Sequence, residues 1–349
     1  MKVAFDSRPA KDARGIGRYA RCLLEALREL DAGELIESSD PRRCDVFHSP
    51  WIDGALLRSP VPMGVTLHDL VPLKRRGEYL RSGISFKLRY LAVQRAVRVI
   101  VPSRVVAEDA LTLLEIPPER IVVIPEAAAP ALCARSDDEV QEVREQYDLP
   151  PEYLLWVGGM RTPDPRKRVG ALSRASRKMP LVLVGATGRW SRELKDVTLT
   201  GVVTDDELAA IYTGAHALVF PSDDEGFGLP PVEALSCGTP VVACDIPVLR
   251  EVLDGRATLV AVDDLDGLVA AAENAHRPAP PPLDWTWEQA ARVTWDVYDE
   301  ALSAPAKWRG ALRRRAKGAV ADDGAGSVHR AASAITPPPL LQSVLDDEA

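Results

Sequence analysis

Short apolar runs alternate with longer amphipathic stretches along most of the chain, the pattern of a parallel sheet with crossover helices. Lys2–Phe5 reads as a first strand, followed by an Ile16–Leu30 helix with an apolar stripe at Leu23, Leu24, Leu27 and Leu30. Val46–His48, Val65–His68, Val99–Val101 and Ile121–Ile124 read as further strands. Asp148–Glu152 (DLPPE) reads as a linker, and Tyr153–Val157 opens a second series. That series continues through Leu181–Val184, Val197–Thr200, Ala217–Phe220, Val241–Ala243 and Thr258–Val260. Two comparable halves predict an α/β protein of two doubly wound, Rossmann-like domains facing across a cleft, with ligands beyond the carboxyl ends of the strands. The expected divisions are 1–150, 151–284, a terminal helix at 285–303 with the option of crossing back to the first domain, and a disordered tail at 304–349. The tail includes a basic stretch, Lys307–Lys317, read as a solvated charge run in preference to a lipid-binding helix.

Composition narrows the function classes. A chain of 349 residues has room for two domains, and its 46% hydrophobic and 27% charged content is that of a soluble globular protein. The net charge of −8 argues against nucleic acid as a partner. Five cysteines without paired spacing support neither a disulfide framework nor a zinc site, and read as small buried hydrophobes in a reducing, cytoplasmic setting. The N-terminus lacks a signal-peptide pattern, and no apolar run reaches the length of a membrane span.

The stretch DDEGFGLPPVEALSCGTPVV, Asp223 to Val242, carries the chemistry. Gly226 and Gly228 let the backbone of a loop approach a ligand, Pro230 and Pro231 suit a first helical turn, and Gly238 and Pro240 end the helix. Glu225 then sits on the loop before a helix N-terminus, and Glu233 within its first turns. Free amides at such an N-terminus favour an anion, while two flanking carboxylates can accept hydrogen bonds from hydroxyls. Ribose, diphosphate and hexose have that layout in a nucleotide sugar. The plain alternative is a loop acid and a helix-dipole acid.

Glu225 to Glu233 resembles the E-x7-E signature of retaining glycosyltransferases of the GT-B fold, family four. Gly201–Tyr212, Pro247–Val260 and Trp285-Thr-Trp-Glu are similar to neighbouring family segments. The resemblance implies a retaining transferase that moves a hexose from a nucleoside-diphosphate sugar, GDP-mannose first and UDP- or dTDP-sugars next, to a saccharide or lipid-linked acceptor. It implies donor contacts from Gly226, Phe227, Gly228, Leu229 and Glu233, with Glu225 holding sugar hydroxyls. In Gly158–Lys167 (GGMRTPDPRK), Arg161 and Lys167 resemble the cation pair that stabilises the leaving diphosphate, with Arg166 a neighbouring candidate. Arg14–Tyr19 (RGIGRY) resembles the glycine-rich loop of the first domain, through Gly15 and Gly17. Val65–Asp69 (VTLHD) resembles the strand that ends on the active-site histidine, His68; Asp69 and His48 are candidates for the acceptor side.

Other readings remain open. Gly15, Gly17 and a downstream Glu37 imitate a dinucleotide fingerprint, which would suit a nicotinamide-dependent oxidoreductase, though Asp6–Arg14 separates strand from glycines and no convincing strand leads into Glu37. Paired carboxylates also suit a glycoside hydrolase. Asp264 and Asp266 match a DxD metal motif but stand where a helix cap is expected, and no metal or other cofactor is called for. Pro-rich His276–Pro282 replaces a helix the family has, and Ile124–Ala129 lacks an expected glycine. Lys74, Arg75, Arg76, Arg81, Lys87 and Arg89 form a basic stretch that reads as a solvated helix face and leaves open peripheral contact with a membrane surface.

Overall fold

The computed structural model describes residues 1–12, 15–79 and 84–304; Arg14, Arg81 and the tail from 305 onward, including Lys307–Lys317, lie outside the described residues. Twelve strands among the described residues form two all-parallel sheets of six. The first holds β1 (Lys2–Phe5), β2 (Glu34–Glu37), β3 (Val46–Ser49), β4 (Met63–Thr66), β5 (Arg98–Val101) and β6 (Ile121–Val123), in the order β2-β1-β3-β4-β5-β6. The second holds β7 (Leu154–Val157), β8 (Leu181–Val184), β9 (Val197–Gly201), β10 (Ala217–Phe220), β11 (Val241–Cys244) and β12 (Thr258–Val260), in the order β12-β11-β10-β7-β8-β9.

The interior strands β3, β4, β5, β8, β10 and β11 are buried at every position, as strands covered on both faces must be. Helices follow most of them, with polar ends that explain their boundaries. Ser136 and Glu139 make a reciprocal capping box on Asp137–Gln146, and Thr204 and Glu207 make another on Asp205–Gly214. Residues 276–286 carry no helix, in keeping with their prolines.

The chain divides into two compact units. Of the described residues, the first comprises 1–12, 16–125 and 287–304; the second comprises residue 15 and 126–286. The division therefore falls at Pro125, ahead of Asp148–Glu152. Its physical reason is that residues 135–146 are fastened within the second unit. Arg135 donates to Asp206 at 2.6 Å and its backbone amide to Thr213 Oγ1 at 3.2 Å, while Gln146 donates to Glu207 at 2.7 Å. The terminal helix, Trp287–Ser303, buries Trp287, Ala291, Trp295, Tyr298 and Ala301 in the first unit. Its Trp295 indole donates to the Leu27 carbonyl, and Arg98 bonds Glu300 at 3.0 Å.

One strand departs from the sequence reading. Glu34–Glu37 is a strand at the edge of the first sheet, so a strand does lead into Glu37, its last residue; only Leu35 and Ile36 are apolar, too short a signal to read. Glu37 is occupied by Arg28 at 2.5 Å. Cysteine burial also divides: Cys22, Cys237 and Cys244 are buried, Cys44 is partly exposed and Cys133 exposed.

Each sheet starts on an interior strand. After β1 the chain adds β2 on one side and then β3 on the other; after β7 it adds β8 and β9 on one side and then β10 on the other. The strand order thus reverses between β1 and β3, and again between β7 and β10. Crossovers that diverge at such a point leave a crevice at the carboxyl edge, the preferred ligand position in open α/β sheets.

Candidate active site

In the second unit, the loops leaving β7 and β10 flank that reversal. They are Gly158–Lys167, singled out in the sequence, and Pro221–Gly228, which carries the start of the Asp223 to Val242 stretch. Their backbones are joined directly, with the Asp223 amide donating to the Arg166 carbonyl at 3.0 Å. Asp164 caps the turn Pro165–Lys167 by accepting from the Arg166 amide, and its carboxylate also takes Arg166 Nε at 3.1 Å. On the other side, Arg166 Nη1 lies 3.7 Å from Glu225 Oε2. Arg166 therefore connects an acid of its own loop to the acid of the facing loop.

Glu225 is nearly buried, with 13% of its side chain exposed. Its Arg166 contact is an ion pair longer than a hydrogen bond, and no hydrogen bond engages its carboxylate among the described residues. A shielded carboxylate ordinarily has its oxygens satisfied, so Glu225 retains acceptor capacity at the switch point. Glu233 contrasts with it. It lies on the Leu229–Ser236 helix, only 3% exposed, and accepts from the Tyr212 hydroxyl at 3.0 Å.

Arg161 is exposed and Lys167 partly so, and neither pairs with a carboxylate among the described residues. Both cations and the fixed guanidinium of Arg166 stand on one loop with a single acid, Asp164. Arg168 turns away: from a left-handed backbone conformation, its guanidinium reaches Cys244 Sγ at 3.6 Å and the Val262 carbonyl.

Gly226, Phe227, Gly228 and Leu229 are buried, with Phe227 against the Trp285 ring at 5.8 Å. Gly228 has φ 97° and a Cβ there would meet Leu249 Cδ2 at 2.8 Å, so this residue must be glycine for the turn itself. The following helix begins Leu-Pro-Pro-Val. Its two prolines carry no N–H, so fewer helix amides are available to an anion than its position implies.

A third loop, after β8, went unread in the sequence. Met160 donates to the Ala186 carbonyl at 2.7 Å, and Gly185 and Gly188 admit the carbonyls of Gly158 and Arg161. A Cβ on Gly185 would lie 2.1 Å from the Gly158 oxygen. The glycines of VGATG directly after a strand were the available signal.

In the first unit, His68 lies two residues beyond β4 and is partly exposed. Its Nε2 is 3.0 Å from the Pro50 carbonyl oxygen, and a carbonyl only accepts, so Nε2 carries a proton. The Tyr19 ring meets the imidazole edge-on at 4.6 Å. Asp69 Oδ1 accepts from the Val71 amide at 3.2 Å and so fastens the next turn. Gly15 is exposed at the start of the Gly15–Glu29 helix. Gly17 has a packing reason instead of an evident ligand-facing one, because a Cβ there would lie 1.9 Å from the Asp12 carbonyl oxygen.

His48 does not line an open acceptor face. It is fully buried, with Nδ1 2.6 Å from the Tyr298 hydroxyl and Nε2 2.9 Å from Thr66 Oγ1. Thr66 Oγ1 in turn meets the Tyr19 hydroxyl at 2.9 Å. Burial pushes the His48 pKa down to about 3, with the His68 charge adding to the effect, so the ring is neutral. The reason for the misplacement is that β3 is an interior strand and Tyr298 of the terminal helix covers its imidazole.

Asp264 is used as a helix cap, accepting from the Gly267 amide at 2.8 Å. The basic residues Lys74, Arg75 and Arg89 are paired with Asp109, Glu78 and Asp53. No helix among the described residues is long and apolar enough to cross a membrane.

Residues 4–132 match the Glycosyltransferase Family 4 model, and residues 151–277 match Glycosyl transferases group 1. The serotype-specific mannosyltransferase WbdA of Escherichia coli is 28% identical over 233 residues, covering 60% of this chain and 28% of that protein. The O-antigen chain mannosyltransferase RfbU of Salmonella typhimurium is 29% identical over 224 residues, covering 60% of each. The chain thus spans less than two thirds of the length of these relatives. Among solved structures, sucrose-phosphate synthase from Thermosynechococcus elongatus superposes with a TM-score of 0.67 at 20% identity, over 87% of this chain and all of that one, and shows the shared fold. With family 4 and group 1 models matching its two halves and GT-B enzymes as structural neighbours, the chain belongs to the GT-B glycosyltransferases.

Proposed function

We propose that the protein is a retaining hexosyltransferase that uses a nucleoside-diphosphate sugar, GDP-mannose first, and extends a saccharide or lipid-linked acceptor in polysaccharide synthesis. The observation that carries this reading is Glu225, a nearly buried carboxylate without hydrogen-bond partners among the described residues, beside a cation-rich loop at the strand-order reversal. The mannosyltransferase names of the relatives support the choice of donor.

In this reaction, the bond from the anomeric carbon to the diphosphate oxygen breaks, and its electron pair leaves with the diphosphate. The acceptor hydroxyl oxygen bonds to the anomeric carbon on the same face. Its proton passes to the departing phosphate oxygen. Arg161 and Lys167 neutralise the charge that develops on the diphosphate, which favours the transition state over the bound ground state. Arg166 orients Glu225, whose oxygens accept from the sugar hydroxyls; Glu233 takes the ribose side, and His68 bonds the transferring sugar or its phosphate. Side-chain cations fill the role a metal has in DxD enzymes.

The test is incubation with GDP-, UDP- and dTDP-sugars and a mannoside acceptor, with nucleotide release and the anomeric configuration of the product read by NMR. GDP release coupled to an α-mannoside is the expected result. Inverted product, or hydrolysis of a simple glycoside without nucleotide, overturns the reading.

A further inference from the structure

The first unit has its own strand-order reversal, between β1 and β3, and a group of side chains there has no place in the reaction above. Asp6 directly follows β1, and its carboxylate is wholly buried. Four donors converge on it. Arg8 supplies Nε to Oδ1 and Nη2 to Oδ2, both at 2.7 Å, and its backbone amide to Oδ1 at 3.3 Å. Trp51, just beyond β3, gives its indole N–H to Oδ2 at 3.0 Å. The Arg8 guanidinium lies 5.9 Å from the centre of the Trp51 ring.

Neighbouring structure keeps this group rigid. A Cβ on Gly54 would lie 2.2 Å from Asp6 Oδ2 and 2.5 Å from the indole nitrogen, so the backbone closes tightly on the pair. The turn Arg8–Lys11 carries buried Pro9 and is clamped by Arg21, whose Nη1 donates to the Ala10 and Asp12 carbonyls. Burial acts to push the Asp6 carboxyl up, but the Arg8 and Trp51 hydrogen bonds outweigh it and hold the pKa below the ordinary value, so the acid is ionised.

Arg8 emerges from the cluster, with 56% of its side chain exposed. Its Nε and one Nη2 hydrogen are committed to Asp6, while Nη1 makes no hydrogen bond among the described residues. The result is a guanidinium fixed by its buried edge and free at its outer one, beside Trp51, a residue that is itself partly exposed. Asp6 already balances its charge, so a second anion gains little from it. An uncharged ring bearing hydroxyl acceptors and an apolar C–H face matches both the donors and the indole.

We propose that Arg8 and Trp51, held by Asp6, form a subsite for a sugar ring of the acceptor saccharide. The assignment rests on the glycosyltransferase reading for its ligand class and names which first-unit side chains bind it. Arg8 binds directly; Asp6 acts through Arg8 and is a positioning residue.

Two measurements test it on the full chain, with α-mannobiose as the probe. Calorimetric titration without donor asks about the subsite alone. Wild type should bind, Arg8→Ala and Arg8→Lys should lose about tenfold or more in affinity, and Trp51→Phe should lose less. Steady-state kinetics then separate the substrates: in Arg8→Lys the mannobiose KM should rise by about tenfold, with the donor KM and acceptor-free donor hydrolysis within about twofold of wild type. Arg8→Lys retains a cation beside Asp6, so it tests the fork even if Arg8→Ala fails to fold. Wild type that binds no mannobiose, or variants that bind it equally well, overturn the subsite even where donor turnover is normal. Donor and acceptor KM rising together overturn it as well. Binding of mannobiose lost in Arg8→Lys, with no donor turnover in any protein, upholds the subsite and defeats the transferase reading alone.

Discussion

Arg166 Nη1 lies 3.7 Å from Glu225 Oε2, and this ion pair links the loop after β7 to the loop after β10 at the point where the strand order of the second sheet reverses. The separation leaves attraction without a hydrogen bond. Arg166 is instead anchored by Asp164 at 3.1 Å. Replacing Arg166 with Ala removes that orientation and leaves Glu225 shielded without a counter-charge. Transfer should fall by about tenfold or more, with Arg166→Lys recovering part of it; kcat and donor KM measured for both variants check this.

Glycine at 185 is required by backbone contact. With φ 134° and the Gly158 oxygen 2.1 Å from a built Cβ, any side chain must push the cation-bearing loop aside. Gly185→Ala should cost about 2 kcal/mol or more and weaken nucleotide binding; denaturant melts and GDP titration read the two effects.

His48 gives the first unit an acid-sensitive core. Its folded pKa, about 3, lies below the ordinary value of 6.5. Above that ordinary value neither state takes a proton, and the burial of His48 costs nothing in ionisation. As pH falls below it, the unfolded state takes up a proton that the folded state refuses, so stability drops by up to about 1.4 kcal/mol per pH unit until pH approaches the folded value. A His48→Gln variant should show a flatter decline between these limits. Urea midpoints across the range test it, and equal slopes in the two proteins would contradict it.

Asp264 separates a cap from a metal ligand. Its carboxylate accepts from the Gly267 amide at 2.8 Å. Asp264→Ala should lower stability by about 1 kcal/mol and leave transferase turnover unchanged. A large loss of turnover restored by added divalent ions would reinstate the DxD reading.

Much of the fold was legible because buried parallel strands read as unbroken apolar runs, such as Leu181–Val184 and Ala217–Phe220. Glu34–Glu37 escaped because an edge strand with two apolar residues has neither the length nor the alternation that marks a strand. The unit division at Pro125 escaped for another reason. Asp137–Gln146 buries none of its residues, so its sequence does not say which core it serves; its flanking Arg135 and terminal Gln146 bonds decide that.

The site was legible only where local spacing carries chemistry. Glu225, Arg161, Arg166 and Lys167 stand in short segments that follow strands, and the fold brings Arg166 to Glu225. His48 and His68 look alike in sequence, each following an apolar run. One is sealed by Tyr298, 250 residues away, and that difference lies in tertiary structure alone. Asp6 and Arg8 could have been noticed as an acid and a cation beyond a first strand, but their indole partner comes from another loop.

The central claim is that Glu225 holds the sugar while neighbouring cations hold the diphosphate. Calorimetric titration of wild type and Glu225→Gln with GDP and with GDP-mannose tests it most directly. The expected result is GDP affinity within about twofold between the two proteins and a GDP-mannose affinity lower by about tenfold in the variant, since the amide of Gln puts a donor group where Glu225 has a second acceptor oxygen. Equal GDP-mannose affinity in both proteins, or no binding of either nucleotide to wild type, would contradict it.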